Sequence, residues 1–297
     1  MDFPRCCVFS PAKVNLGLRI LGSRSDGYHA IQTILQMLDL CDRLTFCATR
    51  EARIILSCNT PTLPTDDGNL VVRAAKLLQH RMRVSMGANI TLEKSIPMAA
   101  GLGGGSSNAA ITLLALNRVW QLNCPPTVLH TLATELGSDV PFFLSSPTAV
   151  AEGRGEVLSA LPPPPALQGI LLNPGFGVSA GWAYRQFNGR SSATDATIPE
   201  VWRAFNGHDF AALAAAIVND LEPGVTAVYP IIREMQEVLR AVGAQVTFMS
   251  GSGPTVGGFF GSPATLTDAL TILRTHATWM VLPFSTLSES LNPELQG

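Results

Sequence analysis

Between Pro97 and a segment of helical spacing, the chain sets four glycines in five residues, Gly101, Gly103, Gly104 and Gly105, and follows them with Ser106 and Ser107. Glycine loses more backbone freedom on ordering than any other residue, so such a run belongs where the main chain must turn sharply or come close to another group. Ahead of the run, "ANITLEKSIP" alternates apolar and polar residues and reads as a strand; from about Ser106 to Trp120 the spacing reads as a helix. A strand, a glycine turn and a helix start together present unpaired backbone N–H groups and the positive end of a helix dipole. That is an anion site, and phosphate is the usual anion. A flexible surface loop is the alternative, disfavoured by the small residues Ala109 and Ala110 on the first turns.

Two phosphate-loop patterns fail against these letters. The Walker pattern needs a Gly-Lys-Ser/Thr ending, and no lysine lies between Lys94 and the helix. The GxGxxG dinucleotide pattern would put Ser106 where its third glycine belongs, and the strand ahead of the loop is not the first of a β-α-β unit.

Elsewhere, "KVNLGLRI" alternates with period two, so Lys13 and Asn15 share one face of a strand, opposite Val14, Leu16, Leu18 and Ile20. A turn with Asp26-Gly27 follows, and "AIQTILQMLDLCDRLTF" reads mostly as strand. "DDGNLVVRAAKLLQHRM" opens with capping residues and continues with helical spacing. "TVLHTLATEL" is a short helix ended by Gly137, and "SDVPFFL" begins a further element with Asp139 at its start. The composition then shifts, and four consecutive prolines, 162–165, cannot lie inside a helix or central strand, which places a boundary between a domain at 1–160 and one at 161–297. Beyond it come a strand ("GILLNP"), a helix near 182–187, a polar loop over 188–200, helices near 209–219 and 226–241, a strand–glycine turn–strand unit at 244–260, a helix near 264–275 and a last strand, "WMVLPF". Helices and strands alternate without strict β-α-β repetition, which predicts an α+β pair of domains.

Composition narrows the functions. Apolar residues make up 46% of the chain and charged ones only 14%, below the roughly 25% of typical soluble domains, so a compact, well-buried protein is expected. A net charge of −2 offers no footprint for nucleic acid or an anionic membrane. No apolar stretch is long enough to span a bilayer, and six scattered cysteines without CxxC fit a reducing compartment, so a cytoplasmic enzyme is expected. The five histidines are dispersed, no HExxH occurs, and neither Ser250 nor Ser252 lies in GxSxG, which removes the zinc-protease and serine-hydrolase readings.

"PAKVNLGL", "PMAAGLGGGSSNAA" and "SGSGPTVGGFF" resemble, in order and spacing, the three motifs of the GHMP kinases, over residues 9 to about 285. The resemblance implies a two-domain α+β fold, with an N-terminal ribosomal protein S5 domain 2-like unit and a C-terminal ferredoxin-like α/β sandwich. It also implies ATP as phosphoryl donor with Mg²⁺, for which no protein ligand is assigned. "DGYH", "LGSDVPFF" and "NDLEP" narrow the resemblance to members that phosphorylate the tertiary 2-hydroxyl of a cytidine-diphosphate-linked methylerythritol.

The same resemblance implies roles by position. The amides of Gly101, Leu102, Gly103, Gly104, Gly105, Ser106 and Ser107 would cradle the ATP phosphates, with the two serine hydroxyls available to phosphate or Mg²⁺, and Gly251 to Thr255 would close over the site. Asp139 matches the catalytic base, although an aspartate at the start of an element is commonly a helix cap. Lys13 is either a solvated edge charge or the cation that partners Asp139 and polarises the hydroxyl; Asn15 lies on its face and belongs to the acceptor site. Tyr28 would stack on the cytosine, His29 would bond its polar edge, and Tyr184 would cover the other face, unless the first two are simply exposed. Asn69 and Lys94 match positions near the adenine, with capping and surface charge as competing readings. Asp220 and Glu222 fit the pattern without an assigned role.

Overall fold

The computed structural model describes residues 5–162, 164–187, 189, 196–276 and 278–289. Six strands, β1 (Arg5–Ser23), β2 (His29–Thr49), β3 (Ile54–Cys58), β4 (Gly87–Glu93), β5 (Thr148–Gly153) and β6 (Val157–Ala160), build one sheet. Four more, β7 (Gln168–Asn173), β8 (Val246–Met249), β9 (Val256–Phe259) and β10 (Met280–Ser285), build a second. The helices of the first part are α1 (Leu70–Arg81), α2 (Gly104–Val119) and α3 (Pro126–Leu136). Those of the second are α4 (Ala180–Gln186), α5 (Ile198–Asn206), α6 (Phe210–Ala216), α7 (Glu222–Val228), α8 (Ile231–Ala241) and α9 (Pro263–His276).

β2 is the spine of the first sheet. One edge pairs antiparallel with β1 along nearly its whole length, and the other carries β4 at Arg43–Thr49 and β5 at Ile31–Gln36. β3 lies parallel to β4, and β6 extends β5. The second sheet runs β10-β7-β9-β8 with every pairing antiparallel. With helices between β7 and β8 and α9 between β9 and β10, this is the β-α-β-β-α-β order of a ferredoxin-like sandwich. The expected α+β architecture is therefore the observed one.

Three apolar clusters hold the layers. Leu44, Phe46 and Ile90 of the first sheet pack on Val71, Leu78, Leu113 and Leu116 of α1 and α2. Ala12, Val14, Leu16 and Ile34 leave that core and join Leu171, Phe248, Phe259 and Phe284 of the second sheet, with Val201 and Phe205 of α5. Met235 and Leu239 of α8, Val225 of α7 and Leu273 of α9 pack against Ile170 and Val256. The middle cluster couples the two sheets, and the chain reinforces it after β10, where Leu287 N–H donates to Met37 O at 2.9 Å and Thr286 bridges Leu38.

Several boundaries differ from the sequence reading. The helix expected over 226–241 is two, because Tyr229 leaves helical geometry and Pro230 caps α8. The polar loop expected over 188–200 gives way at Thr197 to α5, whose first turn is closed by Thr197 and Glu200 in a capping box; residues 188 and 190–195 lie outside the described residues. Pro163 of the proline run lies outside them too. β1 is not a half-exposed strand: from Ser10 to Leu18 both of its faces are covered.

Candidate active site

The glycine run leaves β4 through Ile96, whose N–H is fixed by Asp42 Oδ1 at 2.9 Å. Gly101 and Gly103 both take left-handed φ values, 77° and 68°, which favour glycine. A Cβ on Gly101 would lie 2.2 Å from Ser250 O, and one on Gly103 would lie 2.9 Å from Lys13 Cγ and 3.0 Å from Phe143 Cζ. These two glycines are therefore required by close approach within the protein. Gly103 is the N-cap of α2 and no side chain caps that helix, so its first-turn N–H groups remain for a ligand.

Two cavities meet on this loop. One, of about 760 Å³, is lined among others by Lys13, Tyr28, Asp139, Tyr184 and Gly251. The other, of about 300 Å³, is lined by residues including Asn69, Leu70, Lys94, Met98 and Asn108. Gly101, Gly103 and Ser106 line both. An elongated anion on the loop can thus reach from the smaller cavity into the larger.

At that junction Lys13 Nζ lies 3.6 Å from Asp139 Oδ2 and donates to Asn15 Oδ1 at 2.5 Å. Lys13 is 4% exposed and not a solvated edge charge, because the glycine loop at Gly103 and the turn at Gly251 close over it. Asn15 Nδ2 in turn donates to Thr33 Oγ1 at 3.2 Å. Asp139 precedes a 3₁₀ turn (Pro141–Leu144) whose N-cap is Val140 and carries no side-chain cap bond, so the capping reading fails. Its carboxylate is 39% exposed and faces the larger cavity. A half-open carboxylate beside a buried cation can accept a proton from a bound hydroxyl.

Around the outer cavity, His29 and Tyr184 stack on each other with centroids 5.5 Å apart and planes at 16°. No base fits between those two rings. Tyr28 is exposed, and the Arg154 guanidinium lies 5.0 Å from its ring centroid. Burial, assisted by the negative charge of Asp139, pushes the Tyr184 phenol well above its ordinary range, so it remains a neutral donor. Arg154 and Arg185 line the same cavity, and with Lys13 they make it cationic. Neither arginine carries a motif that would single it out; only the fold brings them here.

In the smaller cavity, Asn69 caps α1 by accepting from Val71 N–H at 2.9 Å, and its Nδ2 donates to Pro64 O at 2.7 Å. Its side chain is thus spent on structure, in line with the capping reading, while the residue itself still lines the smaller cavity. Lys94 is likewise no surface charge: Nζ lies 2.5 Å from Asp42 Oδ2, with side-chain exposures of 7% and 0%. Asp42 also accepts from Ser95 N–H, Ile96 N–H and Asn108 Nδ2. Sequence reasoning missed Asp42, which is a strand residue on β2 far from any motif. Ser107 departs from expectation as well. It is fully buried, its hydroxyl bonds Ser10 Oγ at 2.7 Å and its N–H donates to Gly103 O. Leu102 turns its side chain into the middle core, and its carbonyl accepts from Lys13 N–H.

Residues 69–146 match the family described as GHMP kinases N terminal domain, and residues 201–277 match GHMP kinases C terminal. A 4-diphosphocytidyl-2-C-methyl-D-erythritol kinase of Synechococcus sp. (strain JA-3-3Ab) is 40% identical over 98% of each chain. One from Pelotomaculum thermopropionicum (strain DSM 13744 / JCM 10971 / SI) is 45% identical, covering 87% of this chain and 89% of its own. A crystal structure of 4-(cytidine 5'-diphospho)-2C-methyl-D-erythritol kinase superposes with a TM-score of 0.82 at 32% identity, covering 94% of this chain and 98% of that one. A homoserine kinase from Cytophaga hutchinsonii shares the fold, with a TM-score of 0.74 at 15% identity and coverage of 98% and 96%.

Proposed function

The chain belongs to the GHMP kinase family, and from that premise we propose that it transfers the γ-phosphoryl group of ATP to the 2-hydroxyl of 4-diphosphocytidyl-2-C-methyl-D-erythritol. The products are the 2-phosphate and ADP, a step of the non-mevalonate route to isoprenoid precursors. The observation that carries the reading is the Lys13–Asp139 pair, 3.6 Å apart, at the junction of two cavities that share one glycine loop.

ATP enters with its base in the smaller cavity and its phosphates on the first-turn amides of α2, where helix dipole and N–H groups favour anions. The acceptor fills the larger cavity, its cytosine against Tyr28 and the His29–Tyr184 stack, its diphosphate beside Arg154 and Arg185. The 2-hydroxyl oxygen attacks the γ-phosphorus in line; the bond to the β–γ bridging oxygen breaks and its electron pair leaves with ADP. Asp139 takes the hydroxyl proton, and Lys13 balances the carboxylate and polarises the oxygen. Asn15, gripped by Lys13 and backed by Thr33, orients the acceptor.

Among the described residues no group of three or more His, Cys, Asp or Glu gathers as a metal cage, while Ser106 lines both cavities. This donor set suits a hard cation held mainly by phosphates and water with one hydroxyl, as Mg²⁺ is in phosphoryl-transfer sites. Bound there, the ion would supply neutralisation of the phosphate charge. The division at residues 160/161 belongs to the same proposal, supported by β1–β6 ending at Ala160 and β7 starting at Gln168. No helix of the described residues is long and apolar enough to cross a membrane, and we place the reaction in the cytoplasm, where ATP is at hand.

Purified protein mixed with ATP should release ADP only when this acceptor is added, and phosphorus NMR should show a new monoester. Asp139→Asn should lose about 10²–10⁴-fold in kcat and still bind ATP. Acceptor-independent ADP release, or normal turnover by that variant, refutes the assignment.

A further inference from the structure

The segment Asn219-Asp220-Leu221-Glu222-Pro223 has no place in the chemistry above, yet it touches both loops that the chemistry needs. It joins the end of β1 like a short extra strand: Leu18 N–H donates to Val218 O at 2.6 Å, and Asp220 N–H donates to Leu18 O at 2.9 Å. From there the side chains of Asn219 and Asp220 point in different directions.

Asn219 is 7% exposed, and both hydrogens of its amide are used on the glycine turn after β8, on Met249 O at 2.9 Å and Gly251 O at 2.8 Å. Its Oδ1 accepts from Leu221 N–H at 3.0 Å, so the amide has one orientation. The turn it holds abuts the catalytic pair. A Cβ on Gly251 would come within 2.8 Å of Asn15 Oδ1 and 3.7 Å of Lys13 Nζ. Ser250 Oγ accepts from Asn15 N–H at 3.2 Å and donates to Gly101 O at 2.9 Å. A shift of this turn is therefore passed to Lys13, Asn15 and the first glycine loop together.

Asp220 is 3% exposed and faces the other way. Its Oδ2 accepts from Ile20 N–H at 2.8 Å, and its Oδ1 pairs with Arg19 Nη1 at 3.2 Å. Arg19 in turn bonds Ala196 O through Nε and Nη2. Past Ile20 the strand becomes exposed and runs directly into the turn that carries Tyr28, with His29 opening β2 behind it. Asp220 thus ties down Ile20 at the root of that hairpin, before the last ladder pairs Gly22–Ala30 and Ser23–His29.

We infer that Asn219 and Asp220 are two separate positioning residues: Asn219 sets the 250–253 turn against the Lys13–Asn15 pair, and Asp220 sets the root of the hairpin that binds the cytosine. The inference rests on the reaction proposed above. Neither residue touches substrate, and each acts through a different loop, so their losses should fall on different kinetic constants.

The test compares Asn219→Ala and Asp220→Asn with the wild-type protein in steady-state assays and in amide hydrogen exchange. Asn219→Ala should lower kcat by roughly tenfold or more with KM for the acceptor changed less than about twofold, because a misplaced catalytic group chiefly slows the transfer step. Asp220→Asn should raise KM for the acceptor by roughly tenfold while KM for ATP and kcat stay within about twofold. In exchange, the 249–255 peptide should lose protection in the first variant and the 18–23 peptide in the second. Should Asn219→Ala fail to fold, Asn219→Ser, which keeps one donor, takes its place with the same expected split. Equal losses in all constants for both variants, or exchange rising over both peptides in each, overturns the inference. Variants that exchange as described beside a wild-type protein that phosphorylates nothing would sink the proposed reaction, with the exchange pattern still deciding which loop each residue holds.

Discussion

Replacing Gly101 with alanine puts a methyl group where the backbone of the turn after β8 already stands. The new Cβ would lie 2.2 Å from Ser250 O, so that carbonyl must retreat by about 0.8 Å to restore even a tight 3.0 Å contact. Alanine at φ 77° adds about 1–2 kcal/mol of left-handed strain. The retreat also breaks the Ser250 Oγ to Gly101 O bond, about 1 kcal/mol. A total near 2–3 kcal/mol lowers the melting temperature by roughly 3–5 °C in a chain of this size. Activity should suffer more than stability, since a displacement near 1 Å in the groups that position a phosphoryl acceptor costs about 10²-fold. Gly175→Ala is the control: its φ is 85°, but nothing lies within 4 Å of the added atom. It should melt slightly lower and turn over normally. Calorimetry with steady-state kinetics on both variants measures the difference. A Gly101→Ala enzyme within about twofold of wild-type kcat, or a Gly175→Ala enzyme equally impaired, refutes the argument that close approach at Gly101 aligns the site.

Tyr28→Ala should raise KM for the cytidyl acceptor about 5- to 150-fold, the worth of one stacked base, with KM for ATP unmoved; equal rises for both substrates would place Tyr28 elsewhere. Lys94→Met strands the fully buried Asp42 carboxylate and should destabilise the fold by about 3–5 kcal/mol. Adding Asp42→Asn to that variant should recover part of the loss in a urea titration, and no recovery would mean that the pair is not the reason. Burial pushes the Glu222 carboxyl above its ordinary range against the hydrogen bond from Gln236. Its contribution to stability is therefore complete at pH below the unfolded-state value and is lost as pH rises through the folded one. The stability of the wild type relative to Glu222→Gln should fall over that window, and a flat difference would contradict it.

How much of this could be read from the letters depends on what each residue's setting required. The glycine turn, the start of α2 and the shared face of Lys13 and Asn15 are local patterns, and period two or a cluster of glycines reports them directly. What surrounds a strand is not local. β1 looks amphipathic in sequence, yet its polar face is covered by the glycine loop that opens α2 and by the turn at Ser250–Gly251, which turns Lys13 from a surface charge into a buried cation. Asp139 reads as a cap until the 3₁₀ turn is seen to begin after it. Asp42 gives no signal, since one aspartate in a long strand gains meaning only when Lys94, Ser95, Ile96 and Asn108 converge on it from the segment after β4 and from α2. α5 was legible after all: Thr197, Pro199 and Glu200 spell a helix start that the polar composition ahead of it masks.

The central claim is that one carboxylate meets the acceptor hydroxyl at the end of a triphosphate held on the α2 amides. A crystal grown with a non-hydrolysable ATP analogue and 4-diphosphocytidyl-2-C-methyl-D-erythritol tests it most directly. The 2-hydroxyl should lie within about 3 Å of an Asp139 oxygen and in line with the γ-phosphorus. A phosphate chain that avoids residues 101–106, or a hydroxyl that meets the phosphorus with Asp139 out of reach, would contradict it.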